Sequence, residues 1–193
     1  RTPLARLRFS AEMLPEEVDL RAGMIEDVEA MDAMLGQFLD YLRLGRDEAI
    51  EERDVGALLH AAIARLPGAQ DVTVEGELHT AVRPQALARG IGNLVLNALR
   101  HGAPPVRVVV GCDGDSAFVA VHDAGPGFEP ARLATLSAPF VQGEAARGGD
   151  GTGLGLAIAA RSAQWHGGGL RAARDAAGFC ITLHWPLAPP RAD

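Results

Sequence analysis

The chain contains no lysine: all 18 of its basic residues are arginine. That excludes every chemistry needing a lysine amine, including a Walker A phosphate loop, the strand lysine of a protein kinase and a Schiff base. Cysteine is almost as scarce. Cys112 and Cys180 lie far apart and make neither a metal-ligand pattern nor a disulfide framework. No apolar run approaches the roughly 18 residues of a membrane span, and no signal peptide is visible. The chain opens on Arg1 rather than Met, so it is expected to be a fragment, and missing targeting segments say little about its parent. A surplus of positive charge is missing too. The net charge is −7, which argues against nucleic-acid binding, where a basic face must neutralise phosphates.

Disorder is excluded by a hydrophobic content of 48%, and 193 residues suit one or two domains. Charge distribution favours two. Residues 1–52 hold 13 acidic and 6 basic side chains, a net of −7, whereas the remainder holds 12 of each. In the first segment Met24, Val28, Met31, Leu35, Phe38 and Leu42 recur at alternating spacings of four and three, the seam of a bundle or coiled coil. Leu4, Leu7, Ala11 and Leu14 repeat similarly, and a polar connector from Pro15 to Gly23 separates the two patterns. The reading is an antiparallel helical hairpin over residues 1–50. A piece this short rarely buries enough apolar surface alone, so two copies are expected to pair into a homodimeric four-helix bundle.

Residues 51–189 alternate elements. Asp54 is a candidate N-cap for a helix from Ala57 to Leu66, and Val72–Gly76 reads as a short strand. Pro84–His101 reads as a helix, opened by proline and stopped before Gly102. Val106–Gly111 and Ala117–Asp123 read as strands around an Asp-Gly turn, and Leu154–His166 as a helix. A hairpin around Ala176 and Ala177 closes the domain, and residues 187–193 read as a frayed tail. Grouped antiparallel strands with helices between them predict an α+β fold whose second domain is an α/β sandwich.

Four constellations occur in order. Asn93 and Asn97 share one helix face, followed by Arg100 and His101. A carboxamide oxygen is a hard neutral ligand suited to Mg²⁺ that already carries phosphates, and Arg100 can grip a phosphate; the alternative is that helix asparagines simply cap or bond to neighbours. Next, Asp123 ends a strand and begins DAGPGF, in which Gly125 and Gly127 leave room for a planar ring, Phe128 can pack beside it, and the carboxylate can accept from an amino group. An ordinary Pro-Gly turn has the same letters. Third, residues 137–151 form a Gly- and Ala-rich stretch after Pro139-Phe140, either a lid or a plain surface loop. Fourth, the GTGLG of residues 151–155 feeds a helix, whose N-terminal amides suit phosphate. It lacks the preceding strand of a Rossmann fingerprint.

In this order and spacing the four resemble the N, first glycine, F and second glycine boxes of sensor histidine kinases, which share the GHKL (Bergerat) ATP-binding fold with gyrase, the MutL repair proteins and a heat-shock chaperone. The opening RTPLARLRF resembles the family's phosphoacceptor box, and the hairpin, the DYLR of residues 40–43 and the box spacing are most like the EnvZ-type osmosensor subgroup. The resemblance implies that Asn97 ligates Mg²⁺ with Asn93 beside it, and that Arg100 and His101 contact phosphates. It implies that Asp123 binds the adenine amino group, that Gly125, Gly127 and Phe128 shape the pocket, and that Thr152, Gly153, Leu154 and Gly155 present backbone donors. ATP and Mg²⁺ are the implied cofactors. The implied activity is transfer of the γ-phosphoryl to a His and on to an Asp of a response-regulator receiver domain. The alternatives are an ATPase of the same fold and a non-catalytic nucleotide-binding scaffold. Hydrolytic relatives carry a Glu at the position of Asn93, and an amide is a poor general base.

The sequence departs from the family pattern in two places. The phosphoacceptor His is expected three residues before Arg1, so this fragment is not expected to autophosphorylate; Thr2 falls where the family orients water for regulator dephosphorylation, or is simply a helix-start residue. Gln142 stands where many relatives carry Arg, so either Arg147 substitutes or transfer is less well supported. The scattered His60, His79, His122, His166 and His184 read as structural or solvated, and Trp165 and Trp185 as packing residues. The fragment is expected to be cytoplasmic without membrane contact, its parent in the bacterial inner membrane.

Overall fold

The computed structural model describes residues 19–43, 45–142, 152–176 and 178–187. The chain divides into two compact units, Arg1–Leu42 and Arg43–Asp193.

In the first unit a single described helix, α1, spans Asp19–Arg43. The connector expected to run to Gly23 is therefore shorter, since its last five residues are already helical. Leu20, Arg21 and Ala22 are good helix formers, and an acidic residue in the first turn suits the helix's positive end. Together they outweigh one glycine. Of the apolar seam, Val28 is buried whereas Met24, Met31, Leu35 and Leu42 are exposed, and Leu39 adds to the exposed set. The first helix of the expected hairpin and Thr2 lie outside the described residues.

The second unit runs β1 (Glu51–Asp54), α2 (Val55–Ile63), β2 (Thr73–Glu75), β3 (His79–Val82), α3 (Pro84–His101), β4 (Arg107–Asp113) and β5 (Ser116–Asp123). After a 3-10 turn at Pro130–Arg132 come α4 (Leu133–Leu136), α5 (Gly155–Trp165), β6 (Gly169–Asp175) and β7 (Gly178–Pro186). Asp54 caps α2 as expected, its Oδ1 accepting from the Ala57 amide at 3.1 Å. Pro84 opens α3, where its missing N–H costs nothing.

Five strands form one sheet in the order β2-β4-β5-β7-β6, and β1 and β3 form a separate antiparallel pair. The sheet is mixed rather than purely antiparallel. Thr73 pairs in parallel with Arg107, because β3 and α3 intervene and supply a crossover long enough to bring β4 alongside β2 in the same direction. Alternate residues on one face (Val108 and Val110, Val119 and Val121, Ile181, Leu183 and Trp185) bury against Leu59, Leu87, Ile91, Leu94, Val95, Ala159 and Ala163 of the helices. Each large aliphatic side chain taken wholly from water contributes about 1.5–3 kcal/mol. The opposite face carries Phe118, His122, Cys180 and Thr182, all half-buried. The result is a two-layer sandwich with its helices on one side.

Candidate nucleotide site

Helices α3 and α5 pack antiparallel. Ser162 donates its hydroxyl to the Ala86 carbonyl at 2.8 Å near one end, and a Cβ added at Gly90 would stand 2.6 Å from that of Ser162. Only glycine lets the two backbones come this close. Towards the other end, the same packing brings the start of α5 against the polar face of α3. A Cβ on Gly155 would lie 3.1 Å from Asn97 Oδ1, 3.2 Å from its Nδ2 and 3.5 Å from Asn93 Oδ1, so the missing side chain lets the start of α5 close on two carboxamides. Asn93 donates its Nδ2 to the Arg89 carbonyl at 2.9 Å. A bond to a neighbour, the alternative for such a residue, is thus present, and it uses the amide's nitrogen while its oxygen faces Gly155. Arg100 and His101 continue the line on the exposed end of the helix.

The end of α3 also meets the turn after β5. Asp123 is 9% exposed, and its Oδ1 accepts from the Gly125 amide at 2.8 Å. The Ala124 amide donates to the Ala103 carbonyl at 2.8 Å, tying the turn to the chain leaving α3. A Cβ at Gly102 would stand 2.4 Å from Asp123 Oδ1, and one at Gly125 2.5 Å from the Cα of Gly102. The two glycines let a carboxylate, a helix end and a turn converge within contact distance.

Phe128 sits beneath the turn, edge-on to Phe179 at 4.7 Å between ring centroids. Gly127, at φ +53, lies where a Cβ would be 2.2 Å from the Phe179 ring. Arg174 donates to the Pro126 carbonyl. Phe179 and Arg174 support the turn from β7 and β6, and no motif in the sequence marks either residue. The alternation of Phe179, Ile181, Leu183 and Trp185 marks Phe179 as inward-facing, but nothing local says which loop it meets.

The F and second glycine segments are joined directly. Phe140 adopts φ 66, uncommon for an aromatic residue, and its amide donates to the Gly153 carbonyl at 3.0 Å. Gly153, at φ +68, fits where a Cβ would press on the backbone of Phe140 and Val141. Leu154 is fully buried, anchoring the entrance to α5, and the Ile158 amide reaches back to its carbonyl at 2.8 Å. Thr152 is half-buried. Arg147 and residues 143–151 lie outside the described residues. An open hollow of about 610 Å³ lined by Asp113, Asp115, Ser116, Gly167–Gly169, His184 and Pro186 lies at the start of β5, the opposite end from Asp123.

Among the described residues no cluster of three or more His, Cys, Asp or Glu could hold a metal ion. The donor set beside Gly155 instead suits a cation that brings most of its own oxygen ligands, as Mg²⁺ does when chelated by phosphates.

Residues 82–189, more than half of the chain, match the profile of the histidine kinase-, DNA gyrase B- and HSP90-like ATPases. The chain belongs to this family. The sensor protein CseC of Streptomyces avermitilis is 35% identical over 170 residues, covering 85% of this chain and 33% of that protein. The solved kinase domain of the Escherichia coli osmosensor EnvZ is 32% identical with a TM-score of 0.54, covering 77% of this chain and 96% of that one. Full-length ShkA in complex with AMPPNP shares the fold at a TM-score of 0.73 and 22% identity, covering all of this chain and 44% of that one. The chain spans about a third of the length of the CseC sensor proteins and between 23% and 52% of the other curated relatives compared with it. The expected histidine-kinase ATP-binding core with its α/β sandwich is borne out by the family match and these neighbours. Among the described residues no helix is long and apolar enough to cross a membrane.

Proposed function

We propose that this histidine-kinase core binds Mg·ATP between α3, the turn after β5 and the start of α5, and that its parent is a two-component sensor kinase. The observation carrying this reading is the meeting of Asn93 and Asn97 with Gly155, beside the Gly102–Asp123–Gly125 convergence. Asp123 accepts a hydrogen bond from the adenine amino group, and Gly125 and Gly127 shape the pocket by letting the turn pack on Gly102 and Phe179. Asn97 offers its carboxamide oxygen to the metal, with Asn93 lining the same site. The backbone amides of Thr152, Gly153, Leu154 and Gly155 face the phosphates at the positive end of α5. Arg100 and His101 contact the phosphates from α3, and Arg147 is assigned the charge that Gln142 lacks. When bound, Mg²⁺ offsets charge on the β- and γ-phosphate oxygens. Asn93 cannot act as a general base, which favours holding ATP for transfer over rapid hydrolysis.

In the parent the γ-phosphoryl passes to a histidine imidazole and then to an aspartate of a response-regulator receiver domain. Residues 1–50 form the homodimer's four-helix bundle and residues 51–189 the catalytic domain. Thr2 orients water for regulator dephosphorylation, and the parent sits in the bacterial inner membrane. Titration calorimetry with a non-hydrolysable ATP analogue and Mg²⁺ tests the site. Saturable binding, lost with Asp123→Ala, is expected; no binding, or binding indifferent to that substitution, would overturn the assignment. Thr2→Ala is expected to slow phosphate release from a phosphorylated regulator, and an unchanged rate would refute its role.

A further inference from the structure

Helix α3 has a weak beginning. Arg83, at its N-cap position, makes no side-chain capping bond, and Gly90 and Gly92 lie in the stretch just before Asn93. Each interior glycine lowers helix stability relative to alanine, because glycine loses more backbone freedom on folding. The orphan amides of the first turn are satisfied from elsewhere in the chain. Glu48 places its two carboxylate oxygens on the amides of Gln85 and Ala86, the second at 3.0 Å. Its own carbonyl accepts from the Arg83 guanidinium.

The same short stretch grips the far end of α5. Gly45, at φ +68, packs so closely on Trp165 that a Cβ would stand 2.8 Å from the indole. The Arg83 guanidinium lies over that indole at 5.4 Å, and Arg161 approaches it at 6.0 Å. The Arg83 amide donates to His166 Nε2 at 2.9 Å, and His166 Nδ1 meets the Ser162 carbonyl at 2.7 Å. Residues 45–48 therefore tie the start of α3 to the end of α5. The partner faces of these antiparallel helices, Asn93 and Asn97 on one and Gly155 on the other, make the close contact described above.

We infer that Glu48 is a positioning residue for the nucleotide site, so that nucleotide occupancy and the anchoring of residues 45–48 are energetically coupled. The inference rests on the nucleotide-site reading. Ligand contacts that require Asn97 and Gly155 at one separation favour the helix pair in one arrangement, and the carboxylate clamp favours the same arrangement from the opposite end. Coupling of this kind is reciprocal. Nucleotide must tighten the clamp by the factor through which the clamp tightens nucleotide.

The test compares the whole chain with its Glu48→Ala variant, using Mg²⁺ with a non-hydrolysable ATP analogue. Calorimetry gives the dissociation constant, and hydrogen exchange reports the Gln85 and Ala86 amides with and without nucleotide. Nucleotide is expected to slow exchange of these two amides in the wild type, and Glu48→Ala is expected to weaken binding about threefold or more. A purely structural role would lower the unfolding temperature and leave affinity unaltered. Should the alanine variant fail to unfold cooperatively, Glu48→Gln replaces it under the same criteria. Unchanged affinity in the variant that folds, or exchange at Gln85 and Ala86 indifferent to nucleotide in the wild type, overturns the inference alone. A wild-type chain that binds no nucleotide overturns the site reading and this inference with it.

Discussion

Three glycines with different surroundings separate conformational cost from functional cost. Gly114, at φ +56, has nothing within 4 Å of a would-be Cβ, so Gly114→Ala should cost only the left-handed penalty of about 1–2 kcal/mol. Gly127 has a similar φ of +53, yet its Cβ would enter the Phe179 ring at 2.2 Å. Gly127→Ala therefore adds overpacking of about 1–3 kcal/mol, and denaturant unfolding should rank it clearly below Gly114→Ala. Gly102 needs no left-handed backbone, but its Cβ would reach Asp123 Oδ1 at 2.4 Å. Gly102→Ala is expected to weaken nucleotide binding about tenfold or more, equivalent to roughly 1.4 kcal/mol. Affinity equal to wild type in calorimetry would show that the Asp123 carboxylate needs no fixed position. At this scale the sequence was informative: Asp123, Gly125 and Gly127 were legible because turn chemistry is local. Phe179, Arg174 and Glu48 were not, since each acts on residues far along the chain and no nearby spacing records it.

Among the elements, α3 was read to its ends because proline and glycine punctuate both. Strand β1 escaped notice for a physical reason. Residues 51–54 read EERD and are exposed throughout, so pairing with β3 rests on backbone hydrogen bonds without an apolar alternation to announce it. The end of α5 has a pH signature that no periodicity contains. Burial pushes the His166 imidazole below its ordinary value of 6.5, partly opposed by its bond to Ser162, while Arg83 lowers it further and Glu48 raises it. The folded state thus favours the neutral ring, whose Nε2 accepts from the Arg83 amide. The unfolded chain takes up the proton first as pH falls, so this contribution is present above pH 6.5 and is lost as pH drops towards the lower folded value. Between pH 7 and 5 the unfolding temperature of wild type is expected to fall more steeply than that of His166→Gln. Parallel slopes in calorimetric scans would exclude His166 as the titrating group.

For the whole molecule, two halves of opposite character follow from one composition. The charge surplus and the apolar seam both belong to the first 52 residues, and α1 leaves Met24, Met31, Leu35 and Leu42 exposed, Met31 at 46%. An apolar stripe of that length on one helix is the kind of surface that a second copy covers. Leu35→Asp is expected to shift the chain from dimer to monomer in sedimentation velocity while nucleotide affinity stays within about twofold of wild type, because the site lies wholly within the second unit. A variant that still sediments as a dimer would place the interface elsewhere.

The strand order has a consequence for biosynthesis. β7, the last of the described strands, lies inside the sheet between β5 and β6 and not at its edge. Its pairing with β5 joins Ala117 to Trp185, so the layer remains split until nearly the final residue of the domain is made. While the ribosome is still translating residues 124–186, the free edge of β5 has no permanent neighbour and its valines have only part of their cover. Such nascent chains are candidates for chaperone capture, and a premature stop before Phe179 would remove β7 and leave β6 without the strand it pairs with.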